Sequence, residues 1–556
     1  MKKILGLTLA FLLAFGCSAC KKNSGNSNST NEPTSESVAR PTWEQVKGDA
    51  VELKIYVDES NIYGAYVAGS AEKTVKEAIE KKFYEDTGNA VDIQIMYQTH
   101  DTFNNAFGGV MTTGQWDAAV SYLGQAGLEE TALNQNIAMD LSNLLLEYGS
   151  NIYEVIDEQA MYATTTYSEE IIGIPSVNKS KIKGILVRKD YMLRAGYTDS
   201  KEEAAASDGE LKYCQTIDDF TNMLRAMKNN IPECTIPLIG NSYDIEFAIL
   251  AGACGTAGYQ YKAVNYNSDG SVKEVVPGWL SEGYQKMLNY EYLWRSENLW
   301  EADNAIRSDS VRLADFTNGK TGVYCVDTNI LSLINVTRQV NAVNPDVTFT
   351  ILNPLDGVDE DGKAIEGSGA FAEVSRTTDC LIVNKRSQNA DLIIKYLDWM
   401  YSDVSNYELC AYGIEGKQWV DAGEGFYTYP EQYKEIYLTS RPYSGVFALL
   451  HNDEFAYRLF DSYSQEELSW IEKVESAKTI KNATDGMLFY NMPAAEGSNF
   501  TLAEANMYED CAVPTWNGTA NPAITYPQQV TAYRSQAADY ILWLTREYNK
   551  YVEDRK

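Results

Sequence analysis

Residues suited to proton transfer or metal ligation are few. His100 and His451 are the two histidines of the 556-residue chain, so a three-histidine metal site cannot be built, and no His-Glu-x-x-His helix exists. Ser368 lies in Gly367-Ser368-Gly369, which is not the Gly-x-Ser-x-Gly turn that exposes a nucleophilic serine, and no phosphate-cradling Gly-x-x-x-x-Gly-Lys-Ser/Thr loop occurs. Residues 265–270 and 356–362 resemble calcium loops but lack the closing Glu at the twelfth position. A β-hairpin turn at Asp-Gly explains both better. No metal and no cofactor is therefore expected. Paired carboxylates for glycoside cleavage stay open, because Asp and Glu together number 78 and their separation is a tertiary fact.

Sugar binding asks for a different set. Aromatic faces cover the apolar C–H side of a pyranose, and carboxylates or amides fork onto neighbouring hydroxyls. The chain holds 39 Tyr and 10 Trp against 16 Phe, so most rings carry a polar handle suited to half-wet surfaces. An aromatic at helical spacing, such as Trp399 beside Met400, reads as core instead, and only aromatics on loops after strands count as candidates.

Charge and the N-terminus narrow the setting. Lys and Arg total 46 against 78 acidic residues, a net charge of −32, which excludes a general nucleic-acid binder. With 44% hydrophobic and 22% charged residues the bulk is an ordinary globular composition. Lys2 and Lys3 precede an uncharged stretch from Ile4 to Gly16, too short to span a bilayer as a helix and suited to a secretory signal. It ends in Leu13-Ala14-Phe15-Gly16-Cys17, which resembles a bacterial lipobox. Cys17 is the expected lipid-bearing N-terminus and Cys20 its rival. Residues 18–40 are mostly Asn, Ser, Thr, Gly and Lys, a composition that cannot offset chain entropy and reads as a tether with a reach of roughly 25 Å. The seven later cysteines are scattered singly; most read as small buried hydrophobes, with Cys214 and Cys234 the one pair worth testing as a disulfide.

The elements that must position a site follow from periodicity. Residues 51–57 and 91–97 are apolar at alternate positions, the period of half-buried strands. Between them Val75, Ala78, Ile79 and Phe83 recur at helical spacing, with Gly88 as a C-cap. Further strands are expected at 118–122, 170–175, 184–190, 236–240, 321–326, 347–352 and 380–383. Helices are expected at 103–111, 141–148, 216–227, 392–400 and 537–552, the third opened by Thr216 with Asp219. Strand and helix alternate, which predicts α/β sheets of at least partly parallel character.

The chain order over about 51–419 resembles the extracellular solute-binding proteins of carbohydrate ABC importers (family 1), especially the long lipoprotein branch of Gram-positive bacteria. The resemblance is carried by Ile172-Gly173-Ile174-Pro175 followed by Leu186-Val187-Arg188-Lys189-Asp190-Tyr191, by the helix at 216–227, by Phe316-Thr317-Asn318-Gly319-Lys320-Thr321-Gly322-Val323, and by Leu397-Asp398-Trp399-Met400 leading to Tyr412-Gly413-Ile414-Glu415-Gly416-Lys417-Gln418-Trp419. The region after Gly425 departs from the family's better-known members.

That resemblance implies a two-lobed α/β fold of the type II periplasmic-binding-protein kind, with discontinuous lobes, ligand in the cleft and closure by hinge bending. The expected division is signal peptide 1–16, lipidated Cys and tether 17–47, first lobe 48–180 with 327–378, and second lobe 181–326 with 379–556. Carried over by position, Glu59, Tyr122, Tyr243, Asp244, Asp327 and Trp419 face the ligand. Each has a plainer alternative: Glu59 a solvated loop charge, Tyr122 and Tyr243 packing residues, Asp327 a helix cap, Trp419 a core residue. The expected function is capture of a carbohydrate, an oligosaccharide foremost, by a monomer anchored to the outer face of the membrane through lipid alone. Its partners are the importer's permease subunits, not nucleic acid, and it catalyses no reaction. The competing readings are a tethered glycoside hydrolase or lyase using two carboxylates, and a structural or adhesive lipoprotein.

Overall fold

The computed structural model describes residues 40–58, 70–98, 109, 114–122, 136–166, 169–177, 183–256, 258, 261–302, 306–327, 330–366, 368–373, 379–423, 425–433, 442–452, 455, 458–460, 463–484, 487 and 494–554. The first lobe begins with β1 (Val51–Asp58), α1 (Ser70–Thr87), β2 (Val91–Gln98), β3 (Ala118–Tyr122) and β4 (Ile174–Pro175). After a crossing come β5 (Lys183–Arg188), α2 (Ile217–Asn230), β6 (Leu238–Ile239), α3 (Ser242–Ile245), α4 (Tyr284–Ser296), β7 (Val323–Asp327) and β8 (Phe349–Ile351). The chain returns for β9 (Asp379–Val383), α5 (Ala390–Ser402) and α6 (Val404–Tyr412), then crosses again to α7 (Ala494–Met507), α8 (Pro522–Gln536) and α9 (Ala538–Asp554).

Local chemistry accounts for these elements. In β1 the alternating Leu53, Ile55 and Val57 are fully buried, so period two becomes one face on a core. At the end of α1, Gly88 takes φ 82° and its N–H donates to the Tyr84 carbonyl at 2.8 Å, the left-handed helix stop that glycine adopts without a Cβ clash. Thr216 and Asp219 form a reciprocal capping box on α2. Both Asp-Gly segments are hairpin turns as expected: strands Lys262–Tyr266 and Val272–Pro277 pair antiparallel, and Val358 bridges Ala364 antiparallel.

The two larger sheets are both mixed. One has the order β2-β1-β3-β9-β4 and the other β8-β5-β7-β6. In the first, β1 pairs parallel with β2 and β3, while β9 runs antiparallel to β3 and β4. In the second, β5 is antiparallel to β7 and β8, and β6 is parallel to β7. Each sheet carries its own hydrophobic core. Leu53, Val120, Leu381, Trp399, Tyr407 and Phe447 belong to one; Ile185, Phe220, Trp294, Phe349, Trp516 and Tyr540 belong to the other.

This arrangement corrects the expected division of the chain. Residues 327–378 do not complete the first lobe, because β8 is hydrogen-bonded to β5. Residues 379–452 do not belong to the second, because β9 lies between β3 and β4 and α5 packs beneath that sheet. The C-terminal helices α7 to α9 do join the second lobe. Only pairing partners decide this, and a short apolar run such as 380–383 fits either sheet. All seven cysteines among the described residues are buried and none forms a disulfide, Cys214 and Cys234 included; burial pushes the Cys234 thiol up to about 12. Among the described residues no helix is long and apolar enough to cross a membrane.

Candidate functional site

The connections between the lobes lie side by side. The N–H of Ser176 donates to the Asp379 carbonyl at 2.8 Å, and that of Val177 donates to the His451 carbonyl at 2.8 Å. Val177 also forms a parallel bridge with Asn452, and the Asn452 N–H donates to the Tyr407 hydroxyl at 2.9 Å. Short, paired crossing strands allow two lobes to rotate about a few backbone positions while keeping their cores intact. His451 thus contributes its backbone to the crossing.

On the second lobe, the strand ends nearest these crossings gather a polar and aromatic group. Lys183 opens β5 directly opposite Asp327 at the end of β7. Its ammonium is 2.9 Å from Asp244 Oδ1, with side-chain exposures of 17% and 11%, and lies 5.9 Å from the centre of the Tyr243 ring. Tyr243 packs on Phe247 with centroids 4.2 Å apart, and Phe247 meets Tyr261 edge-on at 5.0 Å. Tyr243 is 39% exposed, whereas Phe247 and Tyr261 are buried. The Tyr261 hydroxyl donates to the Glu373 carbonyl at the second crossing. One open ring backed by two buried ones, beside a cation–carboxylate pair, can stack on a pyranose face and hydrogen-bond its rim hydroxyls.

The backbone beneath this group is fixed from below. Asn241 caps α3 by accepting the Asp244 N–H at 2.8 Å. The Gly240 N–H donates to Glu301 Oε1 at 3.1 Å, and its carbonyl accepts the Trp300 indole N–H at 2.8 Å. Glu301, with no exposed side chain, is 2.6 Å from Arg312, so the buried carboxylate is compensated. A π-turn, Glu246–Leu250, follows α3; such one-residue expansions recur at functional sites. The nearby Tyr324 hydroxyl is pushed up to about 12, first by burial and then by the charges of Asp309 and Asp244.

Of the positions expected to face ligand, Tyr243, Asp244 and the backbone of Asp327 come together here. Tyr122 ends β3 in the other lobe, paired with Asp379. Glu59 and Cys17 fall outside the described residues. Trp419 is placed differently from an open platform. It is 3% exposed, its indole N–H donates to the Gly413 carbonyl at 2.9 Å, and its ring packs on Tyr412 at 5.7 Å with the Arg458 guanidinium 5.1 Å away. The Gly416 N–H donates to the Trp419 carbonyl at 2.7 Å, so the tight turn folds the indole inward against Tyr427 and Tyr429. Lys183 and Tyr261 were not expected from sequence. Lys183 is a single charge before an apolar run, and only the register opposite Asp327 reveals it.

No protein-family model matches the chain, and no curated protein sequence does. Solved structures do. The N-glycan transport solute-binding protein NgtS of Streptococcus pneumoniae superposes with a TM-score of 0.63 at 14% identity, covering 91% of this chain and 100% of that one. The alginate-binding protein AlgQ2, solved without calcium ion, gives 0.61 at 14% identity over 90% and 98%. FusA, an ABC-transporter substrate-binding protein of S. pneumoniae solved with kestose, gives 0.60 at 15% identity over 90% and 100%. The chain has the two-lobed fold of the extracellular solute-binding proteins. With 91% of the chain covered, the match takes in at least part of the region after Gly425, whose C-terminal helices pack on the second lobe.

Proposed function

We propose that this protein is a lipid-anchored extracellular receptor that captures an oligosaccharide between its lobes and delivers it to the permease of an ABC importer. The observation that carries this reading is the Tyr243 face with the Lys183–Asp244 pair beside it, set at the lobe crossings of a solute-binding fold. The structural neighbours are described as proteins for N-glycan transport, alginate binding and kestose binding, which supports a carbohydrate over a peptide or metal complex. Glu59, Tyr122 and Asp327 remain assigned to the ligand as part of this proposal, and Cys17 to the lipid. The neighbours are binding proteins, and no observation favours a hydrolase or lyase.

The test combines scattering and product analysis on one preparation. Small-angle scattering of the full chain with a bound oligosaccharide should give a smaller radius of gyration than without it, and no reducing ends should appear. Unchanged dimensions on binding would support an adhesive protein, and release of reducing ends with an acid-side pH limb would support the enzyme.

A further inference from the structure

The cations that the described residues bring to the strand ends around Tyr243 are each matched by a carboxylate. Lys183 Nζ is 2.9 Å from Asp244 Oδ1. Arg312 lies 2.6 Å from Glu301 and 2.9 Å from Asp309, and Arg307 reaches Glu301 at 3.2 Å and Asp315 as well. Glu301 in turn accepts the Gly240 N–H, which ties this network to the backbone that carries Tyr243. Three cations are thus paired with four carboxylates, and the register sets Asp327 directly opposite Lys183. Among these residues no surplus of positive charge remains for an anionic ligand.

The Lys183–Asp244 pair borders the exposed Tyr243 ring, with the ammonium 5.9 Å from the ring centre. Its side chains keep exposures of 17% and 11%, so each presents a small edge to the surface while solvent and salt screen the pair little. Pulling the ammonium away from Asp244 would leave a nearly buried carboxylate uncompensated, which is strongly unfavourable. A sugar hydroxyl suits the intact pair, because it accepts from an ammonium and donates to a carboxylate at once. A ligand carboxylate only accepts, and beside this pair it would meet the like charge of Asp244.

We propose that the Lys183–Asp244 pair determines specificity: it admits an uncharged sugar at the Tyr243 face and rejects a uronate there, so that the receptor takes neutral oligosaccharides. This rests on the sugar-binding reading and names the substrate class of that same site. The net charge of −32 disfavours anions over the whole surface, so variants that change the pair alone are what locate the selection at these two residues.

The test is titration calorimetry of the full chain with matched probes: short gluco-, manno-, galacto- and fructo-oligosaccharides, and the same oligomers with their primary hydroxyls oxidised to carboxylates. The quantity read is the ratio of dissociation constants within each matched pair. Wild type should bind the neutral member more tightly by about tenfold or more. Asp244→Asn removes the like charge and releases the ammonium to the ligand, and should narrow that ratio by about tenfold. Lys183→Gln leaves the Asp244 carboxylate without the ammonium and should widen it. Far-UV circular dichroism checks that each variant is folded, and because the two predict opposite changes either one alone is decisive. Equal affinity for both members in wild type, or tighter binding of the oxidised one, overturns the proposal and leaves sugar binding standing. A ratio that is the same in wild type and in the variants also overturns it, since the discrimination then belongs to the overall charge. Binding of no oligomer of either kind would count against the sugar-binding reading itself, and the proposal would fall with it.

Discussion

The N–H of Val177 donates to the carbonyl of His451 at 2.8 Å, tying the first crossing between the lobes to the segment that leads into the last. Val177 is buried, so water cannot replace this bond. Val177→Pro removes the donor and leaves the His451 carbonyl without it, which should cost about 1–3 kcal/mol of stability. The urea midpoint measures this; an unchanged midpoint would mean that the crossing strands are not coupled.

Tyr243 is the exposed ring of the candidate site. If it stacks on ligand as a desolvated anchor, Tyr243→Ala should weaken sugar binding about thirtyfold, equivalent to roughly 2 kcal/mol, with little change in unfolding midpoint. Titration calorimetry and denaturation on one preparation separate loss of affinity from loss of fold.

Trp419 should behave in the opposite way. Its indole is buried and hydrogen-bonded, so Trp419→Ala should lower stability by about 3–5 kcal/mol and leave the affinity of the folded fraction unchanged. Reduced affinity with an unchanged midpoint would return Trp419 to the ligand site.

Much of the fold was legible in the sequence and its lobe assignment was not. Alternation at Leu53, Ile55 and Val57, the capping pair Thr216–Asp219 and the stop at Gly88 are local signals, each tied to a dihedral or a hydrogen bond within a few residues. Whether β9 lies beside β3 or beside β7 is decided by long-range pairing that leaves no trace in four apolar residues. The same holds at the site. Tyr243 and Asp244 were reached only through the positions that the family resemblance implies, whereas Lys183 becomes a candidate only through its register opposite Asp327. Trp419 misled because glycines on both sides of a turn fit an exposed loop and an inward fold equally well.

Glu80 gives the first lobe a pH dependence. It accepts the Ile93 N–H at 2.8 Å, and its carboxyl is raised from 4.5 to about 7, chiefly by burial. The folded chain therefore holds more protons than the unfolded chain between these values. The stabilising contribution is complete below about 4.5 and is lost as pH rises through 7. Glu80→Gln keeps an acceptor for Ile93 without the charge and should remove up to roughly 3 kcal/mol of this dependence. Unfolding midpoints of both proteins at pH 5 and pH 8 check it; parallel changes in the two would contradict it.

The central claim is that the lobes hold a carbohydrate, and titration calorimetry of the full chain against a broad glycan panel tests it most directly. The account predicts saturable binding of at least one oligosaccharide, weakened about thirtyfold by Tyr243→Ala. Binding of a peptide or a metal complex with no response to any glycan would contradict it.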